Sequence, residues 1–246
     1  MPSISDKAAP FVAAIMPQAG RFAQCRCPCY RAVMARIGLL GGSFNPAHRA
    51  HRRISLAARE ELGLHEIWWL VSPGNPLKPV AGMASLADRF ASACRMARHA
   101  PIRVTAIERE LGTVYTAETL AKLVQRFPQH DFIWLMGADN LAQFHRWRDW
   151  RSIARTMPIA VATRPGYDAG ALKAPAWGWL RCFVRPAAMA KDWTEWRPPA
   201  LVLLNSPPDP TSATAIRAAN PDWHETATNS FDTKALRDGV TRRPVT

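Results

Sequence analysis

An α/β fold, with a mostly parallel sheet and helices on both faces, is predicted by three observations. Apolar runs of strand length alternate along the chain with longer helical patterns, the signature of parallel strands joined by right-handed crossovers. The run Ile67-Trp68-Trp69-Leu70-Val71 is apolar throughout, as expected for a strand buried on both faces. Gly41, Ser72, Gly137 and Asn205 fall just after predicted strands, where sheets of this kind bind ligands.

Taken in order, Arg36 to Leu40 reads as the first strand, a glycine turn follows, and His48 to Leu62 reads as a helix ended by Gly63. After the strand at Ile67 to Val71, Ser72 to Gly82 is rich in proline and glycine and reads as a loop. Ser85 caps a helix running through His99, with Leu86, Phe90, Cys94 and Ala97 along one stripe. Ile102 to Ile107 reads as a strand, Thr116 to Phe127 as a helix and Phe132 to Met136 as a strand. Ile159 to Thr163 and Leu201 to Leu204 complete the set. Residues 168 to 199, with many Pro, Trp and Ala, show no readable period. No internal repeat and no second domain are visible.

With 246 residues the chain can build one large domain with a substantial core. Residues 36–220 are expected to form it, residues 1–35 to be a disordered extension or to precede a true start at Met34, and residues 221–246 to be an irregular tail. The formal charge of +13 suits anionic ligands, nucleic acid among them. Arginine far outnumbers lysine and alanine is abundant, so part of that excess reflects coding bias, and no long basic run marks a nucleic-acid arm. The 5 cysteines are odd in number, which excludes a complete set of intrachain disulfides. Cys25, Cys27 and Cys29 lack the two-residue gaps and second ligand pair of a zinc site, while Cys94 and Cys182 fall in expected core segments. No apolar stretch approaches membrane-spanning length, and the chain reads as cytoplasmic.

The stretch with the most chemistry is Gly41-Gly42-Ser43-Phe44-Asn45-Pro46-Ala47-His48-Arg49-Ala50-His51. Glycines let the backbone approach an anion, and the unpaired N–H groups of the following helix start point at it. His48 and His51 share one face of the first turn, where imidazoles can donate to phosphate oxygens. The spacing differs from the zinc-binding H-E-x-x-H pattern, and neither the P-loop nor the dinucleotide fingerprint is present.

This string resembles the (H/T)xGH motif of the nucleotidylyltransferase superfamily, commonly written GGTFDPxHxGH. Further blocks resemble bacterial nicotinate-mononucleotide adenylyltransferases in that family's order. They are Glu108-Arg109-Glu110 with Val114-Tyr115-Thr116 ("ERE…SYT"), Phe132 to Asp139 ("FIIGAD") and Trp147 ("KW"). Thr163 to Tyr167 ("RRPGY") and Thr211-Ser212-Ala213-Thr214-Ala215-Ile216-Arg217 ("ISxTxIR") follow. Together they span roughly residues 36 to 217. Asn45 stands in place of Asp and is expected to keep the turn by capping backbone N–H groups there. Ala50 stands in place of Gly, and Asn220-Pro221 interrupts the family's C-terminal helical segment early, ahead of a tail with little apolar periodicity.

The resemblance implies a Rossmann-like fold and transfer of the adenylyl group of ATP to nicotinate mononucleotide. It gives His48, His51 and Arg217 catalytic roles on the phosphates. Gly41, Gly42, Ser43, Phe44, Lys78, Asp139, Ser212 and Thr214 would bind ATP. Tyr115 and Thr116 would receive the nicotinate carboxylate, and Trp147 would stack on the pyridine ring. Magnesium would arrive with ATP, with no dedicated metal site in the protein. The rival acceptors are nicotinamide mononucleotide and phosphopantetheine; a basic nucleic-acid-binding protein, supported by charge alone, is the rival of another class. The sequence is compatible with a homo-oligomer.

Overall fold

A computed structural model describes residues 34–74, 82–163, 170–206, 209–224 and 236–245. Its sheet has 7 strands in the order β3-β2-β1-β4-β5-β7-β6, all parallel. These are β1 (Arg36–Gly42), β2 (Glu66–Val71), β3 (Ile102–Thr105), β4 (Asp131–Gly137), β5 (Ile159–Thr163), β6 (Val184–Arg185) and β7 (Leu201–Asn205). The helices are α1 (Arg49–Leu62), α2 (Leu86–Ala97), α3 (Ile107–Leu111), α4 (Thr116–Arg126), α5 (Ala138–Gln143), α6 (Trp150–Thr156), α7 (Pro175–Leu180) and α8 (Ala213–Ala219). β1 lies between β2 and β4, so the chain runs outward to β3 and then crosses back to β4. That reversal makes the carboxyl ends of β1 and β4 the switch point, where a crevice opens.

Alternate residues of the central strands feed two separate cores. Leu40, Trp69, Val71 and Leu135 pack beneath α1 and α2. Leu39, Trp68, Leu70 and Trp134 pack beneath α4, α5, α6 and α7. The amphipathic helices cover both faces because parallel strands of this composition have no face to give to water.

Several boundaries differ from the sequence reading for identifiable reasons. Gly41 and Gly42 complete β1 in register with Leu70 and Val71, so the turn begins at Ser43. Gly41 sits in the strand because the ring of Trp134 occupies the space where a Cβ would be. β3 ends at Thr105, since Ile107 opens the short helix α3, closed by Gly112 in the left-handed conformation at φ 60°. α1 ends as expected at Gly63, φ 62°, whose N–H donates to the Arg59 carbonyl. Ser85 caps α2 by accepting from the Asp88 N–H at 3.2 Å. Cys94 is partly buried, but Cys182 is exposed in a 3-10 turn rather than in the core. The unreadable stretch holds 3-10 segments at Ala171–Lys173, Arg181–Phe183 and Ala187–Glu195. A three-residue period escapes a search for helix or strand repeats. Trp193 in the last of them is fully buried and donates to the Leu62 carbonyl at 3.0 Å.

The C-terminal residues 236–245 take no regular element yet belong to the core. Leu236 and Val245 join the cluster under α2, and the Gly239 N–H donates to the Val104 carbonyl of edge strand β3 at 2.8 Å. The buried carboxylate of Asp238 accepts from Thr105 Oγ1 (2.9 Å), Ala106 N (2.7 Å), Val240 N (2.8 Å) and Thr241 N (2.9 Å). Cutting this residue back orphans donors on both sides of the junction. Asp238→Ala is expected to lower the free energy of unfolding by about 3 kcal/mol, read from the urea midpoint at unchanged slope. A midpoint equal to the wild type's would mean that the tail does not hold β3.

Candidate functional site

The strand–turn–helix corner is built around β1 and the first turn of α1. Phe44 holds a left-handed backbone conformation, φ 47°, uncommon for a residue with a bulky side chain. Its ring is fully buried, stacked on Trp69 at 5.0 Å and tilted against His51 at 4.8 Å. The ring therefore anchors the turn from below, leaving only its backbone to the ligand side. His48 is the N-cap of α1, and its backbone N–H donates to His51 Nδ1 at 3.2 Å. That bond places the proton of a neutral His51 on Nε2, making Nε2–H its donor. The two imidazoles lie 3.8 Å apart. Behind them, Ser55 Oγ donates to the His51 carbonyl at 2.9 Å and accepts from Trp69 Nε1 at 2.8 Å.

α8 is tied to this corner twice. Arg217 donates from Nη1 to the Asn45 carbonyl at 2.6 Å, with Nη2 at 3.4 Å from Thr214 Oγ1. The buried Asp209 accepts from Arg49 Nε at 2.9 Å and Arg53 Nη1 at 3.3 Å on α1, and from the Thr211 N–H at 3.0 Å. The Thr211 hydroxyl and N–H, aided by Arg49 and Arg53, hold its carboxyl well below the usual carboxylate range. Ser212 then caps α8 by accepting from the Ala215 N–H at 3.1 Å.

A buried arginine ties the corner to the neighbouring loop. Arg89 on α2 is 1% exposed and donates to the carbonyls of Ser43 (2.8 Å), Ser72 (2.6 Å), Pro73 (3.1 Å) and Ala84 (3.0 Å). Burial pulls its guanidinium below the ordinary value, opposed by Asp88 and Glu108. Asn45 does not cap its own turn, as the sequence suggested; Oδ1 accepts from Ala84 N at 3.2 Å and Nδ2 donates to the Gly82 carbonyl at 3.0 Å. The cause is the close approach of residues 82–84, which offer a donor and an acceptor to a side chain carrying both.

On the far side of the crevice, Tyr115 precedes the first turn of α4, and the Arg148 guanidinium lies 4.5 Å over its ring. Trp147 is half-buried, edge-on to Phe144 at 5.4 Å and to Trp134 at 6.3 Å. Trp134 is the ring seated against Gly41, so one chain of contacts links Trp147 to the β1 corner. Asp139, exposed in the first turn of α5, folds its carboxylate over Gly137 into space that a Cβ would fill.

The donors at this corner are imidazoles, guanidinium groups and backbone N–H groups, a set that holds phosphate oxygens and does not suit a hard cation. Among the described residues no group of three His, Cys, Asp or Glu is placed to hold a metal ion, and no helix is long and apolar enough to cross a membrane.

Comparison with known proteins agrees with this architecture. The cytidylyltransferase-like family model matches residues 39–219. A protein of Erythrobacter litoralis named probable nicotinate-nucleotide adenylyltransferase is 58% identical over 210 residues, covering 85% of this chain and 94% of its own. The chain belongs to the cytidylyltransferase-like family, in the nucleotidylyltransferase superfamily. A likewise named protein of Cereibacter sphaeroides is 52% identical over 182 residues, covering 74% of this chain and 96% of its own. In fold, the chain is similar to Plasmodium falciparum nicotinic acid mononucleotide adenylyltransferase complexed with NaAD. That match has a TM-score of 0.55 and 16% identity, covering 75% of this chain and 83% of that one.

In this cytidylyltransferase-like chain the residues singled out from sequence fall on the carboxyl edge of the sheet. Gly41 and Gly42 end β1, Ser43, Phe44, His48 and His51 follow in the turn and the start of α1, and Arg217 brings α8, with Ser212 and Thr214 at its start, to this corner through Asn45. Asp139, Tyr115, Thr116 and Trp147 stand at the starts of α5 and α4 and before α6. Lys78 lies outside the described residues, as do Cys25, Cys27, Cys29 and the proposed start region before Met34. Sequence reasoning missed Arg89, although it lies three residues after Leu86 on the stripe taken as apolar. It also gave no role to Glu108 within the "ERE" block, or to Asp209.

Glu108 is 6% exposed, and burial pushes its carboxyl from 4.5 up to about 7, against the pull of Ser72 and Arg89. The folded chain thus holds this proton more tightly than the unfolded one. The stability so gained is complete below about 4.5 and is lost as pH rises through about 7. Glu108→Gln, neutral at every pH, is expected to melt above the wild type at pH ~8, with the gap narrowing toward pH ~5. A variant less stable than the wild type at the higher pH would mean that the ionised carboxyl gains more from Arg89 than burial costs it.

Proposed function

We propose that this chain transfers the adenylyl group of ATP to nicotinate mononucleotide, giving nicotinate adenine dinucleotide and pyrophosphate for NAD biosynthesis. The observation that carries the reading is the His48–His51 pair at the start of α1, with the proton of a neutral His51 set on Nε2 and its ring beside Phe44 of the strained turn. The names of relatives at 58% and 52% identity support the same activity.

A 5′-phosphate oxygen of the mononucleotide attacks the α-phosphorus of ATP in line. The new P–O bond forms as the bond to the bridging oxygen breaks, and that electron pair leaves on pyrophosphate. The attacking oxygen is already anionic at neutral pH, so no enzyme nucleophile or base is needed; positioning and charge stabilisation suffice. His48 and His51 donate to the phosphates, and the Gly42 to Phe44 backbone with the Ser43 hydroxyl adds further donors. Arg217, Ser212 and Thr214 face the leaving pyrophosphate from α8; Lys78, outside the described residues, is assigned a charge for the same phosphates from sequence alone. Magnesium enters as part of Mg-ATP, held by the phosphates. Asp139 takes ribose hydroxyls. The N–H groups at the start of α4, at Tyr115 and Thr116, receive the nicotinate carboxylate, and Trp147 lies against the ring. An amide in place of that carboxylate loses the charge these donors favour, so nicotinamide mononucleotide is the poorer acceptor. The reading implies a cytoplasmic enzyme, where ATP is at hand.

Pyrophosphate release from Mg-ATP, measured with nicotinate mononucleotide, nicotinamide mononucleotide and phosphopantetheine at equal concentration, tests the acceptor. Selective release with the first is expected. Release with another acceptor would keep the phosphate corner and discard the Tyr115–Trp147 pocket, and silence with all three would sink the reading. His51→Ala is expected to lower kcat by about a hundredfold with an unchanged melting curve, in line with loss of one preorganised donor. Near-normal turnover would remove His51 from the mechanism.

A further inference from the structure

Arg89 lies under the corner and is assigned no role by the reaction. It carries five N–H donors, and the four bonds it makes all end on backbone carbonyls drawn from three separate stretches of chain. One is Ser43 in the phosphate turn, two are Ser72 and Pro73 at the exit of β2, and one is Ala84 just before α2. The same stretches are joined by the Ser72 N–H to the Gly42 carbonyl at 3.0 Å and by the Asn45 side chain to Gly82 and Ala84.

The bond to Ser43 has a directional consequence. The Ser43–Phe44 peptide is trans, so its N–H points opposite to its C=O. Arg89 holds the carbonyl, and the Phe44 N–H is thereby turned to the side away from Arg89. Phe44 itself sits at φ 47°, a conformation that persists only when surrounding contacts over-determine it. Buried Phe44 fixes the side-chain half of that constraint, and the Arg89 fork fixes the backbone half.

We propose that Arg89 is the positioning residue of the phosphate corner: without touching substrate, it sets the Phe44 N–H toward the ATP phosphates and locks the turn to Ser72, Pro73 and Ala84. This rests on the adenylyl-transfer reading for the identity of the anion. A lysine at this position keeps the charge but offers three donors from a single atom and cannot span carbonyls in three stretches.

The test is Arg89→Lys, with Mg-ATP affinity measured by titration and the Michaelis constant for nicotinate mononucleotide measured separately. Expected is at least a tenfold loss of ATP affinity with less than threefold change for the mononucleotide, in a variant that still melts cooperatively. Equal losses for both substrates, or none, would reduce Arg89 to a general structural group and overturn the inference. A second measurement needs no substitution. By reciprocity, saturating Mg-ATP in the wild type is expected to slow amide hydrogen exchange at Phe44, Ser72 and Ala84 together, although only the first faces the ligand. Slowing confined to Phe44 would also overturn the inference. A wild type that binds no Mg-ATP would bring down the adenylyl-transfer reading itself, an outcome distinct from intact ATP binding in Arg89→Lys.

Discussion

Parallel pairing of β1 with both β2 and β4 is the constraint on which the rest of the structure depends. It puts every strand exit on one edge of the sheet and reverses the chain's course at β1, so a crevice opens between the exits of β1 and β4. Gly41, lacking a side chain, lets the Trp134 ring of β4 lie directly on β1 there. The β1 corner and the starts of α4 and α5 lie on that one edge as a result. An antiparallel arrangement of the same segments would not bring them to one edge.

Loops gathered on one edge bring many backbone polar groups out of water, and each needs a partner. Three buried charged side chains answer that need. Arg89 takes four carbonyls around the phosphate turn, Asp238 takes two backbone N–H groups of its own turn together with Ala106 N and Thr105 Oγ1, and Asp209 pairs two arginines of α1 with Thr211. Each joins elements far apart in sequence. The turns at the strand exits are held in place by these bonds.

The tail illustrates how little local pattern such a role demands. Residues 236–245 have neither helical nor strand periodicity, yet Leu236, Asp238 and Val245 are buried and Gly239 approaches Val104 too closely for any side chain. An edge strand as short as β3 leaves backbone groups and apolar surface uncovered, and the tail covers them.

The sequence by itself determined the alternation of strands and helices, the α1 boundary at Gly63 and the cap at Ser85, because these follow from local periodicity and backbone sterics. It also determined the chemical character of the corner, since glycines and paired histidines at a helix start are encoded within eleven residues. Only the tertiary structure decided that Gly41 and Gly42 belong to the strand, that Asn45 bonds to residues 82–84 and that Cys182 is exposed. Only the tertiary structure brought in Arg89, Glu108 and Asp209. Their roles arise from partners many residues distant, and burial of a charge is a property of the assembled environment. In sequence, an arginine inside an apolar stripe looks the same whether it reaches solvent or four carbonyls.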